Sequence, residues 1–175
     1  MSRVVPTLRT WSTNDISTAA FLNANVRDPA TFAFTPPLAR LTTASTQSIG
    51  NAATTGIAFD ASTYDTDNGH SISVNNGDYF IQVGGYYRLS GQITYAANAT
   101  GIRTCAVGYN GTAMADTQGA IPAIAGAPVS VVSVPIIQQC VVGDIIQIFG
   151  YQTSGGALAT YAAGYCGMTV EWIHS

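Results

Sequence analysis

The chain has 175 residues, of which only 9% are charged and 47% are hydrophobic, and its formal net charge is −3. This charge argues against nucleic-acid binding, which needs a cationic surface. The sequence has no run of about 18 apolar residues, so no membrane-spanning helix is predicted. All six basic residues are arginine. A surface with so few charges is poorly solvated, and burial against other copies is the usual remedy. Helix formers are scarce, whereas Val, Ile, Thr and Tyr are plentiful, which favours β structure.

The first 37 residues differ from the rest and predict an N-terminal arm with one helix over about residues 13–27. Ser12, followed three residues later by Asp15, is typical of a helix N-terminus. Pro29 is predicted to end the helix, and apolar residues recur between these signals at roughly helical spacing.

Aromatic residues flank this helix, and Pro36-Pro37 forms a stiff extended hinge behind it. Because a short helix cannot bury its apolar side chains by itself, we expect the arm to pack on the main domain, on sister copies or on a larger host structure. The side chains predicted to anchor it are Trp11, Ile16, Leu22, Val26, Phe32 and Phe34.

Residues 38–175 are predicted to be short strands separated by turns, with Asn-Gly and Gly-Gly pairs as the turn signals. Residues 114–128, rich in Ala, Gly and Pro, are predicted to be a long exposed loop. Eight or more short strands fit an all-β jelly-roll sandwich better than an α/β fold. The predicted strands cover residues 40–43, 54–59, 71–74, 79–81, 85–96, 103–109, 129–138, 144–152 and 165–174.

Alternation along two of these strands predicts which side chains face the core and which face outward. On the first, the core side carries Tyr87, Leu89, Gly91, Ile93 and Tyr95. The strand at 144–152 is apolar on both sides, which in a two-sheet sandwich requires cover by a second layer or a neighbouring subunit. The residues predicted to form that subunit interface are Tyr86, Ile145, Gln147 and Phe149.

The order and spacing of three motifs resemble the C1q/TNF-like jelly-roll superfamily. The motifs are Gly85-Tyr86-Tyr87-Arg88-Leu89-Ser90, the Asn110-Gly111 turn and Val142-Gly143-Asp144-Ile145-Ile146-Gln147-Ile148. Residues 169–173 fit the closing strand of that fold, and the resemblance covers about residues 40–175. It implies a compact homotrimer that binds partners or builds structure, rather than an enzyme.

Residues 10–28 resemble the start of many tailed-bacteriophage virion proteins. Those proteins carry a Trp, a Thr-Ala-x-x-Leu-Asn core and a Val/Ile-Arg-Asp sequence ahead of a β-domain, and Trp11, Thr18 to Asn23 and Val26-Arg27-Asp28 match them here. The resemblance implies a virion protein, assembled in the host bacterial cytoplasm, whose arm docks on other virion proteins. It favours a minor tail or tail-tip protein that contacts the host surface, and capsid decoration stays open as the alternative.

The densest polar cluster lies around Asp65 and Asp67. Closely spaced carboxylate and amide oxygens suit Ca²⁺, but the EF-hand spacing is not met. An Asx-rich turn accounts for the same residues. The two aspartates are therefore weak metal candidates, and no cofactor is predicted.

Nothing in the sequence predicts catalysis. His70 and His174 are the only histidines, and no Gly-x-Ser-x-Gly nucleophile elbow accompanies them. Asp144 and Glu171 are too far apart in the chain to argue for an acid–base pair. The cysteines are predicted to be buried free thiols, because three residues at wide spacing do not make a disulfide framework: Cys105, Cys140 and Cys166.

Tyrosines leave a second class of function open, a carbohydrate-binding module that contacts a host cell-surface glycan. Exposed Tyr with Asn and Gln suits sugars, whereas packing in the core and at subunit contacts explains the same residues. The candidates are Tyr86, Tyr109, Tyr151, Tyr161 and Tyr165.

Overall fold

The computed structural model describes residues 4–161 and 163–175. It consists of antiparallel strands preceded by a helical arm. The strands are β1 Leu38–Thr42, β2 Ser48–Ile49, β3 Thr55–Gly56, β4 Ala61–Asp65, β5 Tyr79–Phe80, β6 Gly85–Tyr95, β7 Ile102–Tyr109, β8 Thr112–Ala113, β9 Gly119–Pro122, β10 Val129–Val132, β11 Ile136–Cys140, β12 Ile145–Gln152, β13 Leu158–Ala159 and β14 Gly167–His174.

The strands form two main sheets. The first sheet has the order β10-β6-β14-β1-β4, and β11 pairs with β6 beside β10. The second sheet has the order β3-β12-β7-β8, with β5 also paired to β12 and β9 to β7. The short strands β13 and β2 pair separately. Because non-consecutive strands neighbour each other in both sheets, the fold is the predicted all-β jelly-roll and not a series of simple hairpins.

The core lies between the two sheets and is formed by every second side chain of the strands. Tyr87, Leu89, Ile93 and Tyr95 of β6 are each 0% exposed, which confirms the predicted core side of that strand. Gly91 lies in the same row, and a Cβ there would be 2.2 Å from Cδ1 of Ile148 on the facing strand β12. The absence of a side chain at this position thus lets the two sheets approach.

Two of the predicted strands do not form as single strands. Residues 71–74 form bends and not a strand, and the Ser71 hydroxyl accepts a hydrogen bond of 3.2 Å from the Val74 N–H. The segment predicted as one strand over 129–138 is divided into β10 and β11 at Ser133, whose hydroxyl accepts from the Gly91 N–H at 2.8 Å. In both places a serine side chain takes a backbone hydrogen bond from the chain around it.

The region predicted as a loop is also partly strand. Residues 119–122 form β9, which pairs with β7 from Cys105 to Ile102. Gly119 makes this possible, because it lies so close to the Val132 carbonyl of β10 that no Cβ fits there. The small residue Gly119 therefore allows two backbone segments to pack closely and does not mark an exposed loop.

The helix of the arm begins and ends later than predicted. It comprises α1 Ala19–Leu22, a π-helical turn Asn23–Arg27 and α2 Asp28–Phe34. Thr18 caps it, because its hydroxyl accepts from the Phe21 N–H at 3.2 Å. Pro29 does not end the helix, since it lies in the first turn of α2, where a proline is tolerated.

The predicted helix start at Ser12 is a separate turn. The Asp15 carboxylate accepts from the Ser12 N–H at 2.9 Å, as a capping residue would. Asn14 between them has a φ of 72°, however, which a continuing helix does not allow. A capping pattern therefore marks a turn here, six residues before the helix itself.

Candidate interaction surfaces

An aromatic contact joins the helical part of the arm to the jelly-roll. The Phe32 ring is 8% exposed and meets the Trp172 ring of β14 edge to face, with 5.0 Å between ring centroids. Trp172 is fixed in turn, because its Nε1–H donates to the Gly84 carbonyl at 3.2 Å and its backbone N–H to the Pro37 carbonyl at 2.9 Å. The end of β14 therefore forms the seat of the arm.

A basic residue ties the start of the arm together. The Arg9 guanidinium pairs with the Asp15 carboxylate at 3.1 Å and lies over the rings of Trp11 and Phe21, at 5.3 and 4.5 Å from their centroids. Hydrogen bonds from the Ser12 N–H and from Arg9 lower the pKa of Asp15. Cation–π and ionic contacts thus order this segment while its aromatic rings stay at the surface.

Most of the predicted anchoring side chains are open to solvent. Five of the six are between 44% and 85% exposed. Phe32 is the exception, since it makes the internal contact with Trp172. We call the five exposed side chains the arm surface: Trp11, Ile16, Leu22, Val26 and Phe34.

The residues predicted to form a subunit interface lie on different sheets. Tyr86 belongs to β6 of the first sheet and stacks on His174, with 4.6 Å between centroids. Ile145, Gln147 and Phe149 belong to β12 of the second sheet. Because the outward faces of a two-layer sandwich point in opposite directions, the structure does not bring these four residues together.

The β12 side chains are already engaged within the chain. Gln147 donates from Nε2 to an Asp78 carboxylate oxygen at 2.6 Å and accepts from the Gly111 N–H at 3.0 Å. The Phe149 ring packs against Gly108, where a Cβ would be 2.4 Å from ring carbon Cε2. The apolar outer side of this strand is therefore partly covered without a neighbour.

A different surface, which was not predicted from the sequence, has apolar side chains that are more exposed than those of β12. The strands β10 and β11 form an outer edge of the first sheet, and five large aliphatic side chains along it and the turn that follows are between 51% and 63% exposed. Unpaired, apolar sheet edges attract other chains unless they are covered. We call this surface the apolar edge: Val132, Val134, Ile137, Val141 and Val142.

A groove of about 380 Å³ crosses the outer face of the first sheet beside that edge. Polar side chains from three strands line it, together with Tyr165 from the segment before β14. We call it the sheet groove, and its polar lining includes Arg40 of β1, Ser90 and Gln92 of β6, and Thr169 of β14.

The Asp65 carboxylate is occupied by a turn. Its two oxygens accept from the N–H groups of Gly69 and His70 at 3.2 and 2.9 Å. Within residues 4–161 and 163–175 no three His, Cys, Asp or Glu side chains come together as metal ligands would. The arrangement therefore matches the Asx-turn interpretation of the Asp65 and Asp67 cluster.

The histidines are not paired with reactive side chains. Both ring nitrogens of His70 lie 2.9 Å from backbone carbonyl oxygens, those of Phe59 and Asp78. The His174 ring stacks on Tyr86. Neither ring forms a hydrogen bond with a hydroxyl, thiol or carboxylate side chain of a described residue, which is what general base catalysis needs.

Asp144, from the Gly-Asp motif, fastens two turns. Its carboxylate accepts from the Tyr109 hydroxyl at 2.5 Å, from Asn110 Nδ2 at 3.0 Å and from the Val141 N–H at 2.7 Å. Partial burial raises the pKa of Asp144, but these hydrogen bonds outweigh it and leave the pKa below its ordinary value. The hydrogen bond to Asp144, aided by burial, raises the pKa of Tyr109 to about 12.

Of the five tyrosines considered for sugar binding, two form an exposed pair. Tyr161 and Tyr165 meet edge to face at 5.0 Å and are 39% and 49% exposed. Tyr109 and Tyr86 are engaged with Asp144 and His174. Of the candidates, this exposed pair gives the sugar-binding alternative its best support.

The three cysteines are buried and free, as predicted. Burial raises the pKa of Cys105 and of Cys140 to about 12. None of the helices that the structure describes has the length and apolar character that a membrane span requires.

Comparison with known proteins identifies the fold. No protein-family model matches the sequence, and no curated protein matches it either. The globular domain of zebrafish complement 1qA protein is similar in structure, with a TM-score of 0.57, 12% identity and coverage of 79% of this chain and 98% of that one. Murine APRIL matches with a TM-score of 0.55, 14% identity and coverage of 77% and 98%.

A third solved structure, Eiger TNF from S. frugiperda, matches with a TM-score of 0.55 and 14% identity, covering 79% of this chain and 94% of that one. Identities this low carry information about fold and not about activity. Each match nevertheless spans at least 94% of the other chain. The chain therefore has the C1q/TNF-like jelly-roll fold that its motifs predicted.

Proposed function

We propose that the protein is a homotrimeric, non-enzymatic structural protein of a bacteriophage virion. The arm of residues 1–37 anchors it, and the jelly-roll of residues 38–175 projects outward. The observation that carries this proposal is the arm surface, since five large apolar side chains stay in solvent although Phe32 packs against the arm's own domain.

The arm surface fits an anchor better than a part of the core. Exposed apolar patches mark contacts with other proteins, and the intramolecular Phe32–Trp172 contact leaves this one open. The phage setting is supported by the resemblance of residues 10–28 to virion proteins. The solved neighbours cover between 77% and 79% of the chain, about the share that residues 38–175 make up.

Self-association is supported by the first sheet. The apolar edge lies beside the sheet groove, and its five aliphatic side chains are between 51% and 63% exposed. An edge of one copy set against the sheet face of the next is a heterologous contact, which closes into a ring when the rotation allows it. Tyr86 lies on this sheet and belongs to the proposal, whereas Ile145, Gln147 and Phe149 lie on the other.

Anchoring is tested with aspartate substitutions in the arm surface. Ile16→Asp and Val26→Asp, at 80% and 53% exposure, should leave folding unchanged and remove the protein from purified particles. Ile124→Asp, in a loop of the jelly-roll and 54% exposed, is the matched control and should incorporate normally. Normal incorporation of both arm variants would show that the arm is not the anchor.

Within the virion we propose a minor tail or tail-tip position, and capsid decoration is the alternative. Electron microscopy of particles carrying a gold-labelled copy of the protein distinguishes the two directly. Label at the tail tip supports the proposal, label over the head supports decoration, and purified particles without the protein refute both.

The exposed Tyr161–Tyr165 pair favours glycan binding as a second candidate function. Aromatic faces beside polar groups suit sugar rings. A glycan array probed with the protein and with Tyr161→Ala tests it. Binding that Tyr161→Ala abolishes supports this function, and an array on which the protein binds nothing rejects it.

A further inference from the structure

Two charged side chains stand out among those that the structure describes. Arg9, Arg27 and Arg88 pair with carboxylates, and Arg103 donates to backbone carbonyls. Six aspartates and Glu171 likewise contact donors: Asp15, Asp28, Asp60, Asp65, Asp78 and Asp144. Arg40 and Asp116 are both exposed, and neither forms a hydrogen bond or ion pair with a described residue.

These two residues lie in complementary places. Arg40 is exposed on β1 and lines the sheet groove. Asp116 is exposed in the 3₁₀ turn Ala115–Thr117, beside the apolar edge, because the Val134 N–H donates to the Thr117 carbonyl at 2.8 Å. The groove thus carries the unpaired cation, and the edge carries the unpaired anion.

The two residues also lie at one level along the strand direction. Arg40 is paired in register with Thr169, and Thr169 with Ser90. The next residue, Gly91, contacts Ser133 through two hydrogen bonds of 2.8 and 2.9 Å. Ser133 precedes Val134, which holds the turn of Asp116. A line across the first sheet therefore joins the two unpaired charges.

This common level matters for a symmetric ring. A rotation about an axis parallel to the strands moves each residue around the axis and leaves it at the same level. An edge that contacts the sheet face of the next copy then meets residues of its own level. Opposite charges at that level steer and fix the register of such a contact.

We propose that Asp116 of one copy forms an ion pair with Arg40 of the next copy, with the apolar edge covering the sheet groove. This inference rests on the self-association proposed above. It commits the groove to a second copy, because the charge that complements Arg40 is present on the chain itself. It also accounts for the absence of an internal partner for either side chain.

The test is a charge-reversal cycle read by size-exclusion chromatography with light scattering, on the full chain at micromolar concentration. Arg40→Glu and Asp116→Arg alone should each weaken the trimer about tenfold or more, since like charges then face each other at every contact. The double reversal should restore it. The matched controls are Arg27→Glu and Asp28→Arg, which change net charge equally in the arm and should leave the trimer intact.

The outcomes separate this inference from the self-association on which it rests. A wild-type monomer refutes both. If the wild type is a trimer, two results overturn the ion pair alone. One is that the single-reversal variants stay trimeric, and the other is that the double-reversal variant does not recover the trimer. Circular dichroism confirms that each variant is folded, and Arg40→Gln with Asp116→Asn replaces any reversal that does not fold.

Discussion

Replacing Phe32 by alanine should release the arm without unfolding the jelly-roll. Phe32 is the one buried residue of the arm's helical segments, and its partner Trp172 is held independently of the arm by the Gly84 carbonyl. The substitution therefore removes the seat of the arm and leaves the closing strand β14 in place.

The size of the effect follows from that contact. Burying a phenylalanine side chain stabilises by about 1.5–3 kcal/mol, and an edge-to-face aromatic pair adds about 0.5–1.5 kcal/mol. Loss of about 2–4 kcal/mol of docking free energy corresponds to an increase of roughly 30- to 900-fold in the open fraction of the arm. Since an isolated helix of this length is marginal in water, the open arm should lose its helix.

Amide hydrogen exchange measures the open fraction directly, because exchange of the α2 amides follows opening. In Phe32→Ala these amides should exchange faster by the factor above, while the melting temperature of the jelly-roll falls by less than about 3 °C. Phe34→Ala is the matched control, since Phe34 is 85% exposed on the same helix. Its α2 amides should exchange as in the wild type.

Two results would refute this reasoning. Unchanged exchange in Phe32→Ala would mean that contacts other than the Phe32–Trp172 pair hold the arm. A fall in melting temperature as large as that of a core deletion would mean that the arm belongs to the cooperative core and is not a separate anchor.

Three further predictions concern the jelly-roll. Gly91→Ala should destabilise by about 1–3 kcal/mol in urea unfolding, because its Cβ would overlap Ile148; adding Ile148→Val should recover part of the loss, and an equal or larger loss would refute the overlap. Asp144→Asn should lower stability by about 1–2 kcal/mol at pH 7. Because the folded-state pKa of Asp144 is depressed, its contribution is present at neutral pH and lost as pH falls through that pKa, so the difference from wild type should shrink on acidification below about pH 4; a difference that does not change on acidification would contradict this. The three buried thiols should not react with a maleimide at pH 8 until the protein unfolds, and labelling of the native protein would show that they are accessible.

The strand faces of β6 were predictable because they depend on local alternation alone. Tyr87, Leu89, Ile93 and Tyr95 lie where period 2 places them, and the C1q/TNF-like motifs gave the fold that comparison with solved structures confirms. The helix boundaries were not predictable in the same way. Ser12 and Asp15 have the chemistry of a helix cap, but a positive φ at Asn14 turns the chain before a helix can form.

The candidate surfaces were less accessible to sequence reasoning. The outer side of β12 is as apolar in sequence as predicted, yet residues distant in the chain partly cover it. Phe149 packs against Gly108, and Gln147 donates a hydrogen bond to Asp78. The apolar edge could not be predicted because the sequence pattern of residues 129–138 indicates one continuous strand. The break at Ser133 depends on its hydrogen bond with Gly91, which is 42 residues away.

The amino-acid sequence by itself determined the β class, the core side of β6 and the distinct character of the arm, because these depend on composition and on side chains a few residues apart. Only the tertiary structure decided which of the arm's apolar residues stay in solvent, which sheet edge exposes aliphatic side chains, and where Arg40 and Asp116 lie relative to each other. Those properties depend on what lies opposite each side chain in space. Strand order in a jelly-roll brings together residues whose separation in the chain no local pattern encodes.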